Sequence, residues 1–173
     1  MDLIAVNENQ LPAIYSSMAN NFIREELRDY EEVVRLHKGG KYTLYHIEEN
    51  GEQKGFVGVW DLNGFVFLEY LVVYEEYRNG GTGGRVIELI KKKYGNVILE
   101  AELPVEPIQV RRLNFYKRHG MCVNPQTYFQ PPYRKGEKGC GLHLLSYPAL
   151  LDDFEEKVKL IYREVYERDY VTK

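Results

Sequence analysis

Phe65-Val66-Phe67-Leu68-Glu69-Tyr70-Leu71-Val72-Val73-Tyr74, followed by Glu75-Glu76-Tyr77 and then by Arg78-Asn79-Gly80-Gly81-Thr82-Gly83-Gly84, decides how this chain is read. The first ten residues are almost unbroken in their apolar character, the pattern of a strand covered on both faces. Beyond the glycines, Val86, Leu89, Ile90 and Tyr94 fall on one helical stripe, and Asn96 to Glu102 reads as a further strand. Strand, loop, helix and strand make a βαβ unit, so these two strands are expected to run parallel.

The glycine run opens a helix. Small residues there let several main-chain N–H groups converge at the positive end of the helix dipole, an arrangement that suits a diphosphate. A plain connector needs neither Arg78 nor so many glycines against a helix start. A P-loop is excluded, because Gly84-Arg85 stands where it needs lysine followed by serine or threonine. A dinucleotide fingerprint fits in part: Gly81 and Gly83 supply its first two glycines, and Glu100 lies near the distance of a ribose-binding acid. Val86, however, replaces the third glycine, and the hairpins upstream do not belong to a fold that starts with this unit.

Working outward, Leu11, Ile14, Tyr15 and Met18 mark one amphipathic helix, and Ile23, Leu27, Tyr30 and Val34 a second. Lys41 to Ile47 and Gly55 to Trp60 read as antiparallel strands joined at Asn50-Gly51, with a further turn at Asn63-Gly64. Downstream, Pro104 and Pro107 precede a helix from about Ile108 to His119, closed by Gly120. Met121 to Phe129 and Gly141 to Tyr147 form a last hairpin, with Pro131-Pro132 in its loop. A final stripe, Leu151, Phe154, Val158, Ile161, Tyr162 and Val165, gives a C-terminal helix over Ala149 to Tyr170. The fold class is therefore mixed α+β. One domain of 173 residues is expected, with its main body over residues 1–148 and the amphipathic helix of residues 149–173 appended.

A formal charge of −3, scattered along the chain, offers no polybasic face for nucleic acid or an anionic membrane. The start of the chain lacks a leader pattern, and no run approaches the roughly 20 apolar residues of a membrane span, so a cytoplasmic protein is expected. Cys122 and Cys140 lie in neighbouring strands, where a bridge is conceivable and two reduced thiols are favoured. His37, His46, His119 and His143 show no ligand spacing, so no metal is expected.

Arg78, Gly81 and Gly83 match the Arg-x-x-Gly-x-Gly signature of the GNAT superfamily of acetyl-CoA-dependent N-acetyltransferases, which the chain resembles over residues 3–147. Leu113-Asn114-Phe115-Tyr116-Lys117-Arg118-His119-Gly120-Met121 is similar to a second family segment; Gln109, Arg112 and Met121 depart from the usual residues there. The resemblance implies a central mixed sheet with antiparallel N-terminal strands and flanking helices. Within it, the central strand splays from its parallel neighbour. It further implies that Leu71, Val72 and Val73 pair with the pantetheine arm of acetyl-CoA and that Arg78, Asn79, Gly80, Gly81, Thr82, Gly83 and Gly84 bind its diphosphate. Asn114 would add a contact to the arm, and the Tyr116 hydroxyl would protonate the departing thiolate; the plainer reading of Tyr116 is a core aromatic.

An attacking amine must be neutral, and for a lysine-like amine deprotonation at pH 7 costs about 4.6 kcal/mol. Glu69, the one charge in its apolar run, is a candidate base acting through water; pairing with a neighbouring arginine, or facing solvent at a bulge, is the alternative. Glu100, Glu102 and Glu106, clustered at a strand end, point either to a cationic amine or, equally, to a solvated acidic face, and Tyr128 and Tyr133 to one wall of the acceptor site. The expected partner is thus a small-molecule or peptide amine, with a homodimer through the last helix conceivable. A non-catalytic acyl-CoA-binding module and an NAD-dependent oxidoreductase are the rival readings.

Overall fold

The computed structural model describes residues 1–170. Its elements, in chain order, are β1 (Asp2–Ala5), α1 (Leu11–Asn21), α2 (Tyr30–Lys38), β2 (Tyr42–Glu49), β3 (Glu52–Asp61), β4 (Val66–Val73), α3 (Thr82–Tyr94), β5 (Val97–Glu102), α4 (Pro107–Arg118), β6 (Cys122–Val123), β7 (Tyr128–Gln130), β8 (Cys140–Tyr147) and α5 (Phe154–Glu164). The strands form one sheet in the order β1-β2-β3-β4-β5-β8-β6, with β7 also on β8. Among the described residues only β4 and β5 are parallel.

The expected hairpin turns are present. Asn50 and Gly51, and likewise Asn63 and Gly64, adopt the left-handed backbone that a tight turn between twisted strands requires. Pro107 begins α4, where its missing N–H is no loss, and Glu106 and Gln109 form a reciprocal cap. Gly120, left-handed at φ 76°, ends it.

Strand alternation divides the core into two layers. On one face Tyr42, Leu44, Phe56, Trp60, Phe67 and Ile98 pack under Leu11, Ile14 and Met18 of α1, Val33 and Leu36 of α2 and the apolar face of α5. On the other, Val57, Val59, Leu68, Leu99 and Leu145 meet Val86 and Ile90 of α3, with Leu113 and Tyr116 of α4 at the margin. Burial of this kind, at roughly 25 cal/mol per Å² of apolar surface, is what holds helices of 9 to 13 residues that would be marginal alone.

The structure departs from the sequence reading in several places. A first strand, β1, lies antiparallel to β2; four residues at a sheet edge carry too little pattern to be read. The second helix starts at Tyr30 rather than near Ile23, which is exposed, and residues 24–26 form a single 3₁₀ turn. The carbonyls of Arg24 and Leu27 accept from the Arg134 guanidinium, both at 2.8 Å, a tertiary contact that holds the turn, and Arg24 O also accepts the Leu27 N–H that closes it. The strand expected from Met121 to Phe129 is split into β6 and β7. Between them the Asn124 side chain donates to the Leu144 carbonyl and the Ser146 hydroxyl, and Pro125 has no N–H for a ladder. The two thiols are free, the reading favoured from the sequence: Cys122 sits opposite Ser146, six residues along β8 from Cys140, roughly 20 Å away.

The final helix is shorter than the expected Ala149 to Tyr170, and residues 171–173 lie outside the described residues. Its apolar face, with Phe154, Val158, Ile161 and Tyr162, is buried against its own sheet, so that face is not free to meet a second copy. No helix is long and apolar enough to cross a membrane among the described residues.

Candidate active site

The parallel ladder between β4 and β5 pairs Val66 with Val97, Phe67 with Ile98 and Leu68 with Leu99, and there it stops. From Glu69 and Glu100 onward the strands diverge. On its other side β4 carries a bulge: between Gly58↔Glu69 and Phe56↔Val72, β3 advances two residues while β4 advances three, and Tyr70 takes a left-handed φ of 59°. Leu71, Val72 and Val73 therefore run beside β3 with no β5 partner opposite them among the described residues.

At the end of β4 the chain makes a 3₁₀ turn over Glu75–Tyr77 and enters the glycine loop. Asn79 and Gly81 are both left-handed, and Gly81, at φ 76°, is the residue before α3. Thr82, Gly83 and Gly84 form the first helical turn, where N–H groups have no carbonyl to bond; theirs have no partner among the described residues. Three guanidinium groups surround the turn. Arg78 donates to the Val73 carbonyl at 2.9 Å and Arg85 to the Gly80 carbonyl at 3.0 Å, while Arg111 of α4 reaches the Asn79 side chain at 3.1 Å. Arg85 also pairs with Glu49 of β2, whose carboxyl that contact holds below its ordinary range. Unpaired helix amides amid arginines, with open space over Gly80, suit a diphosphate. The missing side chain of Gly84 also serves packing, because a Cβ there would lie 2.5 Å from the His119 ring, and its smallness seats α3 against α4.

Tyr116 packs at the edge of the second core layer, close to Phe115 at 5.3 Å between ring centroids. Its hydroxyl has no hydrogen-bond partner among the described residues. Burial pushes that hydroxyl up from its ordinary range, with Arg112 opposing and Glu102 assisting. Asn114 is exposed on the same helix.

The two carboxylates at the start of the splay face the first core layer, one register step beyond Phe67 and Ile98, and they are held very differently. Glu69, 6% exposed, accepts from Arg28 Nε at 3.2 Å, from Trp60 Nε1 at 2.8 Å and from the Tyr133 hydroxyl at 2.6 Å. Arg28, itself buried, is further held by Glu32 at 2.6 Å and the Val165 carbonyl at 2.6 Å, and lies 4.5 Å from the Tyr133 ring centroid. Glu69 is therefore a paired carboxylate, the alternative left open by the sequence. The premise for reading it as a base, an uncompensated charge in an apolar run, does not hold.

Glu100 has no cationic partner within salt-bridge range among the described residues; it accepts only from tyrosines. The Tyr128 hydroxyl donates to one oxygen, and the Tyr166 hydroxyl bridges both at 2.9 and 2.8 Å. Burial pushes the Glu100 carboxyl up to about 7, the tyrosine hydrogen bonds and Arg28 working against it and Glu69 with it. Glu102 is engaged elsewhere, in an ion pair with Arg112 and a 3.4 Å contact from Gln109. Of the residues expected to form the acceptor wall, Tyr133 thus serves Glu69 and Tyr128 serves Glu100. Arg28 and Tyr166 escape a reading of the sequence, because each lies far along the chain from the strands it meets; a buried arginine in a polar stretch carries no periodic signal.

Comparison with known proteins bears on the family and the fold. The sequence model of the acetyltransferase (GNAT) family matches residues 11–121. The Bacillus subtilis protein YjbC, named among acetyltransferases, is 31% identical over 107 residues, 60% of this chain; the match spans about half (54%) of that relative's length. A solved chain from Bacteroides thetaiotaomicron, ascribed to GNAT acetyltransferases, superposes with a TM-score of 0.92 at 26% identity, covering 98% of this chain and all of that one. An aminoglycoside 6'-N-acetyltransferase solved with coenzyme A shares the fold, with a TM-score of 0.61 at 13% identity over 84% of this chain and 96% of its own. With that family model matching residues 11–121, well over half of its length, this chain belongs to the acetyltransferase (GNAT) family.

Proposed function

We propose that this protein transfers an acetyl group from acetyl-CoA to a primary amine of a small molecule or peptide, by direct attack of the amine. One observation carries the reading: the break in the β4–β5 ladder after Leu68 and Leu99, opening beside a helix start whose amides lack partners. Acetyl-CoA, when bound, supplies an acetyl thioester. Thr82, Gly83 and Gly84 N–H groups, with Arg78, Asn79, Gly80 and Gly81 around them, would hold its diphosphate; Leu71, Val72 and Val73 would pair with its arm, with Asn114 nearby. A protein of the same fold solved with coenzyme A supports the choice of coenzyme.

In this reading Glu100 takes the amine proton at a carboxylate oxygen. A base is most effective when its pKa lies near the working pH, and Glu100, at about 7, meets that condition. Glu69 keeps Arg28 and the floor of the acceptor side in place. Tyr116, kept protonated by burial, gives its proton to the departing thiolate. A main-chain N–H of the β4 bulge facing the opening would polarise the thioester carbonyl, worth roughly 10²- to 10³-fold as an oxyanion donor.

A thermal-shift comparison tests the cofactor class. Acetyl-CoA is expected to raise the midpoint, and NAD and ATP to leave it unchanged; stabilisation by NAD alone would favour the oxidoreductase. Thiol release from acetyl-CoA with a panel of amines then separates an enzyme from an acyl-CoA-binding module. Binding without release for any amine would support the module.

A further inference from the structure

The segment after α5 lies beyond the region matched by the family, yet it delivers a hydroxyl to the splay. Tyr166 is 3% exposed, and its hydroxyl reaches Glu100 Oε1 at 2.9 Å and Oε2 at 2.8 Å. That oxygen is not free to choose its partner. Gln130 Nε2 of β7 donates to it at 3.1 Å and occupies a lone pair, which turns the hydroxyl proton toward the carboxylate. The ring is fixed as well: Tyr133 stands 5.6 Å away between centroids, the Arg28 guanidinium 5.9 Å away, and Arg28 Nη2 holds the adjacent Val165 carbonyl at 2.6 Å. We propose that Tyr166 is a positioning residue for the acyl transfer, aiming the Glu100 carboxylate and governing how readily it accepts the amine proton. The inference rests on Glu100 being the base.

The direction of the effect follows from the groups around Glu100. Tyr128 of β7 and Tyr166 donate to the charged form and favour it. Arg28, from the segment before α2, favours it as well, and Glu69 of β4 opposes it. Cys140 of β8 and Tyr162 of α5 also stand close enough to feel its charge. Without the Tyr166 hydroxyl, the carboxyl holds its proton more tightly.

The test is the pH dependence of kcat in Tyr166→Phe, which keeps the ring and removes the hydroxyl. The acid limb is expected to move to higher pH by about one unit, with turnover recovered at the alkaline plateau. Gln130→Ala, which frees the hydroxyl to turn, should move the limb the same way by less. Tyr162→Phe, whose hydroxyl bonds the Phe129 carbonyl, should leave it in place. Carbon-13 titration of the Glu100 carboxyl in wild type and Tyr166→Phe reads the same shift without turnover. If Glu100→Gln abolishes the limb but Tyr166→Phe leaves it unmoved, the positioning role is wrong and the base assignment stands. If Glu100→Gln keeps the limb and the rate, the base assignment falls and takes this inference with it.

Discussion

Exchanging Glu69 for glutamine keeps the side chain's size and removes its charge, which makes it the sharpest probe of what that carboxylate does. In the native protein two oxygens receive three donors, from Arg28, Trp60 and Tyr133. The variant offers one carbonyl oxygen to those donors and adds an NH₂ to a pocket already supplied with N–H and O–H groups. Arg28, 1% exposed, loses its buried counter-charge and retains Glu32 and the Val165 carbonyl. Removing one partner of a buried pair typically costs about 3 to 5 kcal/mol. Glu32 is less buried and compensates in part, so about 2 to 4 kcal/mol is expected here. For a chain of this size that lowers the thermal midpoint by roughly 5 to 15 °C. The assay pairs a thermal or urea melt with turnover measured well below the new midpoint. Turnover per folded molecule should stay within about threefold of wild type, far short of the roughly 10²-fold loss of a base. Because Glu69 also pushes the Glu100 carboxyl up, the acid limb of the pH profile should move slightly to lower pH. A variant as stable as wild type but about 100-fold slower would refute the reasoning and restore Glu69 as the base.

Tyr42 is fully buried beside Trp60, and its hydroxyl has no partner among the described residues; Tyr42→Phe should leave stability unchanged or raise it by about 1 kcal/mol in a urea melt. His46 is buried with both ring nitrogens unpartnered among the described residues, and burial holds its pKa below the ordinary value although Glu48 opposes this. Between pH 6.5 and 5 the unfolded chain then binds more protons than the folded one, so this residue's contribution to stability falls as pH falls. The stability gap between wild type and His46→Leu should shift in the variant's favour over that window, and parallel melts at pH 7 and 5 check it. Tyr116→Phe should lower kcat by about 10²-fold while leaving the thermal midpoint in place, since its hydroxyl supports nothing else; steady-state kinetics and a melt read both.

The glycine loop, the central strand and the parallel unit around them were legible because local chemistry fixes them: left-handed turns need glycine or asparagine, and a doubly covered strand needs an unbroken apolar run. The splay itself leaves no local mark, and its position after Leu68 and Leu99 emerges only from the ladder. Glu69 stood out as a lone charge, but its partner Arg28 lies 41 positions away in a segment with no periodicity. Tyr166 is 66 positions from Glu100, so the carboxylate's surroundings were invisible from the strand alone. The apolar stripe of Ile23 and Leu27 resembled a helix start, yet Arg134, more than 100 residues downstream, holds the segment as a turn through the carbonyls of Arg24 and Leu27.

A crystal structure of the protein with coenzyme A bound tests the central claim most directly. The diphosphate is expected on the N–H groups of Thr82, Gly83 and Gly84, with the pantetheine arm lying along Leu71 to Val73 in the gap opposite β5. A coenzyme bound elsewhere, or a gap that stays closed at saturating coenzyme, would contradict the account.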